Sequence, residues 1–293
     1  MDNGNEMRDF LISRRAKITP DQAGLPAYGG NRRVAGLRRE EVALLAGVSI
    51  DYYTRLERGR AAGASDSVLE GIARALQLDE AERAHLFDLA RAADSAAVPR
   101  APRRPSPQQV RPSVRRILDS MAAPAYVRNA RLDILAANRL GAALLAPVLS
   151  SPAQPANNAR FLFLDPAAPV FYLDWERQAQ DVVAMLRTEA GHSPHDKALS
   201  NLIGELSTRS DHFRTWWAAH NVRFHRTGIK RFHHPVVGDL TLTYEALDLA
   251  ADSGLRISAY SAEPGTPSDD ALKLLDSWAA TLAEASPGPG GTA

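Results

Sequence analysis

Before residue 95, apolar side chains recur at helical spacing in five separate stretches. Met7, Phe10, Leu11 and Arg14 share one face of a helix predicted over residues 6–15. Val42, Leu45 and Ala46 form the apolar stripe of a second helix over residues 39–46. Tyr53 and Leu56, with Ile50 at the start, form the inward face of a third, running from Ile50 to about Arg58. Val68, Ile72, Ala75 and Leu76 mark a fourth, and Leu86, Phe87, Leu89 and Ala90 a fifth. The punctuation agrees with this pattern. Gly47 can take the positive φ that ends the second helix, with Val48 as a buried plug in the turn. Ser49 is a suitable N-cap for the third helix, and Gly59 stops it. Ser67-x-x-Glu70 and Asp79-x-x-Glu82 read as capping boxes for the fourth and fifth. Residues 18–36, with two prolines and several glycines, form a long loop.

After residue 112 the period changes. A short helix from Ser113 is followed by a strand pair, residues 125–127 and 132–136, turning at Asn129-Ala130. Asn138 to Leu145 is helical and residues 147–158 form a loop. Helical stripes then follow: Trp175, Ala179, Val182 and Leu186, and Leu199, Leu202, Ile203 and Leu206. Strands are predicted at 230–234, 240–247 and 255–261. In the second of these, Leu240, Leu242, Tyr244 and Ala246 alternate with polar residues, as in a half-buried strand. A last helix covers 268–283. The fold class is therefore α+β: an N-terminal all-α five-helix domain over 1–93, an Arg/Pro-rich linker over 94–112, an α+β domain over 113–283 and a disordered tail over 284–293.

Composition narrows the function. The 293 residues carry a net charge of +1, but residues 1–116 hold 20 Lys and Arg against 15 Asp and Glu, so a basic N-terminal part (+5) precedes an acidic remainder (−4). That asymmetry suits a polyanion-binding module joined to something else. Cysteine is absent, which removes disulfides, thiolate metal sites and a cysteine nucleophile and suits a cytoplasmic protein. No apolar run is long enough for a membrane span, and the polar, acidic first residues do not form a signal peptide, so no membrane partner is expected. His192-x-x-His195 and the adjacent His233-His234 lack metal-ligand spacing, and no nucleophile elbow or phosphate-binding glycine loop occurs. We therefore expect no catalytic residues, no metal and no cofactor.

The third helix carries the candidate chemistry. Opposite Tyr53 and Leu56, its outer face presents Asp51, Thr54, Arg55 and Arg58. Arginine can take guanine O6 and N7 in a bidentate pair, an acidic residue can accept from cytosine N4, and threonine can touch base edges. A helix, a glycine turn and a capped second helix of this kind fit the major groove. The stretch from Gly47 to Arg60 resembles the Cro/repressor-type helix-turn-helix of the xenobiotic-response-element regulators. Gly36–Gly47 followed by Asp51–Glu57 resembles more closely the subfamily with an MmyB-like ligand-binding domain. The resemblance implies a homodimer on double-stranded operator DNA. In it Ile50, Asp51 and Arg55 read bases, while Arg39, Ser49, Thr54, Arg58 and Arg60 mostly hold phosphates.

The second domain is similar to the PAS-like MmyB-type domain at Ala125–Val127, Leu132–Arg139, Phe161–Pro166, Gly204–Ser210, Gly228–Pro235 and Tyr260–Ser268. This implies an antiparallel sheet cupping a pocket for a small amphiphilic ligand such as a fatty acid. Phe161, Phe163, Trp175, Met185, Leu186, Phe213, Trp216, Trp217 and Phe224 are candidates for the apolar lining, with Arg223 and Arg231 for a head group. The basic segment also holds Lys230. A plain apolar core and a solvated basic edge strand are the competing readings of the same residues. Two other functions stay open on the sequence: a DNA-tethered enzyme acting on a small molecule, and a repressor whose second domain only dimerises.

Overall fold

The computed structural model describes residues 3–25, 34–95, 109–152, 154–219 and 227–285. Contacts divide the described residues into two units. One holds 3–95, 183–207 and 214–219; the other holds 109–182, 208–213 and 227–285.

Five helices open the first unit: α1 (Asn3–Lys17), α2 (Arg39–Ala46), α3 (Ile50–Glu57), α4 (Asp66–Ala75) and α5 (Glu80–Ser95). Their apolar faces meet in one core that includes Met7, Phe10, Leu11, Val42, Tyr53, Leu56, Ile72 and Leu86. The turn between α2 and α3 is built as expected. Gly47 has φ 70° and ψ 30°, and the Gly47 and Val48 N–H groups donate to Leu44 and Ala43 carbonyls at 3.2 and 3.0 Å. Val48 is partly buried against the core. Gly59 has φ 82°, and a Cβ there would strike the Gly4 backbone of α1, so the stop after α3 is also a close approach.

Three local expectations need correction. Ser67-x-x-Glu70 is not a capping box: α4 starts at Asp66 with Ser65 as N-cap, and Glu70 pairs instead with Arg83 of α5. α2 buries Val42 and Ala43 rather than Leu45, which is 36% exposed; in a two-turn helix the α4 contact selects the stripe. Ile50 is 52% exposed and lies outside the core, because the first residue after a cap sits at the rim of its helix. The Asp79–Glu82 box forms, with reciprocal bonds of 2.8 and 3.1 Å.

Later elements are α6 (Pro112–Ser120), β1 (Ala125–Asn129), β2 (Ile134–Ala137), α7 (Arg139–Leu144), α8 (Ala146–Leu149), α9 (Asn158–Leu164), α10 (Ala168–Phe171), α11 (Trp175–His192), α12 (Lys197–Arg209), α13 (Asp211–Ala218), β3 (Thr227–His234), β4 (Gly238–Asp248), β5 (Leu255–Ser261) and α14 (Pro267–Ala285). The five strands form one antiparallel sheet in the order β2-β1-β5-β4-β3. The segment expected to be a loop after residue 147 is interrupted by α8, and α9 begins at Asn158, N-capped by the Asn157 side chain. Leu132, expected to open β2, instead takes φ 68° in the β1–β2 turn, where Asn129 Oδ1 accepts from the Arg131 and Asp133 N–H groups at 3.0 Å each. Asn138 fastens the sheet to its surroundings. Its Oδ1 accepts from Ala125 and Gly141 N–H, and its Nδ2 donates to Met121 and Ala123 carbonyls. One side of the sheet packs Val127, Leu255 and Ile257 on Val114 and Leu118 of α6. Among the described residues no helix is long and apolar enough to cross a membrane.

Candidate functional site

α3 is held by its inner face and free on its outer one. Ser49 Oγ accepts from the Tyr52 N–H at 3.1 Å, which starts the helix at Ile50. Tyr53 and Leu56 are buried, so residues half a turn away must face outward. Asp51, Arg55, Arg58 and Arg60 are exposed, and Thr54 is half-buried between the two faces. The Arg55 guanidinium lies 4.7 Å from the Tyr52 ring centroid, a cation–π contact that leans it along the helix. Ile50 presents an exposed apolar side chain at the same rim.

Glu57 was not singled out by the sequence reading, yet it organises this surface. Its carboxylate is 1% exposed. It accepts from Arg15 Nε and Nη2 at 3.0 Å each and from Arg39 Nε at 3.0 Å. Arg15 also donates to the Leu37 carbonyl at 2.8 Å. Burial would raise the Glu57 pKa, but the hydrogen bonds and charges of Arg15, then of Arg39, outweigh it and hold the carboxyl below the ordinary range. One carboxylate thus ties α3 to α1 and to the first turn of α2. Arg39, expected at phosphate, shares its charge with Glu57 while 48% of its side chain stays exposed. The one sequence signal is the Glu of Leu56-Glu57-Arg58-Gly59, which falls on the buried side of α3 beside Tyr53 and Leu56.

The residues expected to line a pocket are divided between the two units. Phe161, Phe163, Trp175 and Phe213 belong to the second unit, whereas Met185, Leu186, Trp216 and Trp217 belong to the first. Phe161 is core, edge-on to Phe171 and Tyr172 with centroids at 5.8 and 6.1 Å. Phe163 meets Phe213 edge-on at 5.1 Å. Trp175 Nε1 donates to the Leu162 carbonyl at 2.8 Å, and its ring borders an open depression of about 400 Å³ shared with Leu173 and Gln180. Leu186 is fully buried, Met185 and Trp216 are half-buried, and the Trp217 ring lies 4.1 Å from the Arg187 guanidinium. Arg231, expected near a head group, lies on the outward face of β3 and is held by Asp174. Arg223 and Phe224 lie outside the described residues.

The sheet itself carries a different constellation. Strand parity puts Tyr126 and Arg128 of β1, Lys230 of β3, Tyr244 of β4 and Ser258 and Tyr260 of β5 on one face. All six are buried, Arg128 to 5% and Lys230 to 8% exposure. Tyr126 stacks on Tyr260 with centroids 6.2 Å apart, and Tyr244 is also 6.2 Å from Tyr260. Burial resists ionisation of the Tyr126 phenol. The Lys230 and Arg128 charges, with hydrogen bonds from Tyr260 and Ser258, overcome that and hold it below its ordinary value. Tyr260 is pushed well above the ordinary value, first by burial and then by Tyr126. Phe232 continues the face toward Phe171 and Tyr172, at 5.4 and 5.6 Å. The sequence signal was available: Lys230 has the same parity as Phe232 and His234, the buried side of β3. Among the described residues no group of three or more His, Asp or Glu side chains could hold a metal ion.

One unit holds a capped two-helix hairpin with an exposed basic face, and the other an antiparallel sheet with buried polar groups; these are the two parts expected of a regulator with separate DNA-binding and sensing modules. The comparisons with known proteins agree. The model of the helix-turn-helix domain matches residues 31–86. The model described as the MmyB-like transcription regulator ligand binding domain matches residues 110–275, more than half of the chain. The chain belongs to this family of helix-turn-helix transcription regulators with an MmyB-like ligand-binding domain. Both matched domains are those of transcription regulators. No curated protein matches the chain.

Proposed function

We propose that the chain is a cytoplasmic, homodimeric transcriptional regulator whose operator affinity is set by a small amphiphile, a fatty acid or a relative, bound in the α+β domain. The observation that carries the DNA half is the outer face of α3, where Asp51 and Arg55 stand exposed opposite the buried Tyr53 and Leu56, with Arg58 and Arg60 exposed just past the end of the helix. In this reading Arg55, Asp51 and Ile50 meet base edges. Ser49, Thr54, Arg58 and Arg60 meet phosphates, and Arg39 reaches phosphate with the part of its guanidinium not used by Glu57. A two-fold dimer places two such helices in successive major grooves, so half-sites repeat about every 34 Å or a multiple of it.

Ligand control requires that two states of the protein bind ligand with different affinity; linkage then changes DNA affinity by the same factor. α11 is the element suited to carry this. Asp181 on it acts electrostatically on Lys230. Further along the same helix, Arg187 is fully buried and pairs with Glu6 of α1 within the first unit. Native mass spectrometry of the purified chain tests the proposal. The expected spectrum is a dimer carrying an added small mass that solvent extraction removes. A bare monomer at micromolar concentration speaks against it.

A further inference from the structure

Lys230 is in an unusual position for a lysine. Its side chain is buried to 8% exposure, and among the described residues its ammonium forms no ion pair or hydrogen bond. What surrounds it is aromatic: Nζ lies 5.0 Å from the Tyr244 ring centroid and 5.9 Å from that of Tyr260. It therefore extends from β3 across β4 toward β5. The backbones of β3 and β1 lie three strand spacings apart, about 14 Å, and the Lys230 charge acts on Tyr126 of β1 through this buried face. Arg128, 5% exposed, adds a second cation on the same face. The acidic group that acts on Lys230 is Asp181, with which it forms no ion pair among the described residues. Burying one unpaired charge is costly, and cation–π contacts offset only part of that. Burial accordingly pushes the Lys230 pKa down, opposed by Tyr126 and Asp181. A protein gains nothing in stability from such a group, whereas a site that must capture an anion needs one.

We infer that Lys230, with Arg128 on the same face and the hydroxyls of Tyr126 and Tyr260 near it, anchors the carboxylate of a small organic acid whose apolar body lies along the aromatic face of the sheet, while Tyr244, whose hydroxyl donates to the Thr227 carbonyl, contributes its ring. This rests on the reading of the α+β domain as ligand-binding and deepens it. The anchor moves from Arg231, which Asp174 already occupies on the outer face, to the opposite face of the same strand. The carboxylate supplies the counter-charge that the fold leaves out. The Tyr126 and Tyr260 phenols donate to its oxygens, and the aromatic walls exclude water, which strengthens each of these interactions.

The test is isothermal titration of the delipidated full chain with decanoate and with 1-decanol, which share a tail and differ in charge. A charge-assisted contact gives decanoate an advantage of at least about tenfold. In Lys230→Met that advantage falls to within about threefold, while decanol affinity is unchanged. Removing an unpaired buried cation also leaves the ligand-free melting temperature equal or higher. A wild-type chain that binds decanoate no better than decanol, or a Lys230→Met chain that keeps the full advantage, overturns the assignment. So does a variant that no longer melts cooperatively, since that makes Lys230 a structural part of the core. Decanoate that binds in a Lys230-dependent way without altering DNA affinity would instead sink the regulatory reading and leave this site standing.

Discussion

Replacing Glu57 by Gln tests how α3 is positioned, because one carboxylate holds it to two other helices. The wild-type group is 1% exposed and accepts three hydrogen bonds of 3.0 Å from Arg15 and Arg39. Gln keeps the shape, removes the charge and turns an NH2 toward guanidinium donors. Breaking a buried pair costs about 3–5 kcal/mol. Here the Arg15 and Arg39 side chains are 15% and 48% exposed and rehydrate in part, so we expect about 2–3 kcal/mol. Native-state hydrogen exchange reads this locally, without requiring a single two-state unfolding of the whole chain. The Tyr53 and Leu56 amides should exchange about 30- to 150-fold faster in the variant. The sign of the pH dependence follows from the depressed pKa of Glu57. The stabilisation is fully present above the ordinary carboxylate pKa of about 4.3 and is lost as pH falls through the lower folded value. The gap between wild type and variant should therefore close in acid. A change under about threefold at neutral pH, or a gap that does not shrink in acid, would refute the hub role of Glu57.

Three further outcomes follow from the same contacts. Ser49→Ala removes the cap on Tyr52 N–H and should cost about 1 kcal/mol, read as faster exchange at the start of α3 with α5 unchanged. Arg58→Ala should lower affinity for all duplexes alike and flatten the log–log salt slope by about 0.9, measured by fluorescence anisotropy across a salt series; a loss confined to one sequence would count against a phosphate contact. Asn138→Ala strands two buried N–H groups and two carbonyls and should destabilise the sheet domain by about 2–4 kcal/mol, seen as a lower thermal midpoint, whereas an unchanged midpoint would show that water replaces the side chain.

Much of the fold was legible because local signals and tertiary demands coincide. Gly47, Ser49 and Gly59 bound α3 whatever the core does, and the alternation in β4 admits one orientation against a buried face. The failures mark places where tertiary structure decides. α4 starts before Ser67, with Ser65 at its boundary making no side-chain cap bond, and Glu70 pairs with Arg83, 13 residues on. Glu57 could be placed on the inner face from its spacing, but its partners lie 18 and 42 residues away, and nothing local announces them. Aromatic content marks core and pocket wall alike, so the burial of Phe161 and Phe213 fits either reading. Lys230 carries a charge at the same parity as Phe232 in the predicted strand, but which parity faces inward is settled only by the sheet's packing.

The proposed role of α3 stands or falls with Arg55, exposed on its outer face. Selection of bound sites from a randomised duplex pool at fixed salt, run in parallel on the wild-type chain and on Arg55→Ala, tests it most directly. The account predicts an enriched, two-fold repeated motif for the wild type. In the variant one position per half-site should lose its preference, a change of about 1–3 kcal/mol in base discrimination, with the rest of the motif intact. The same motif at the same strength from Arg55→Ala would contradict it.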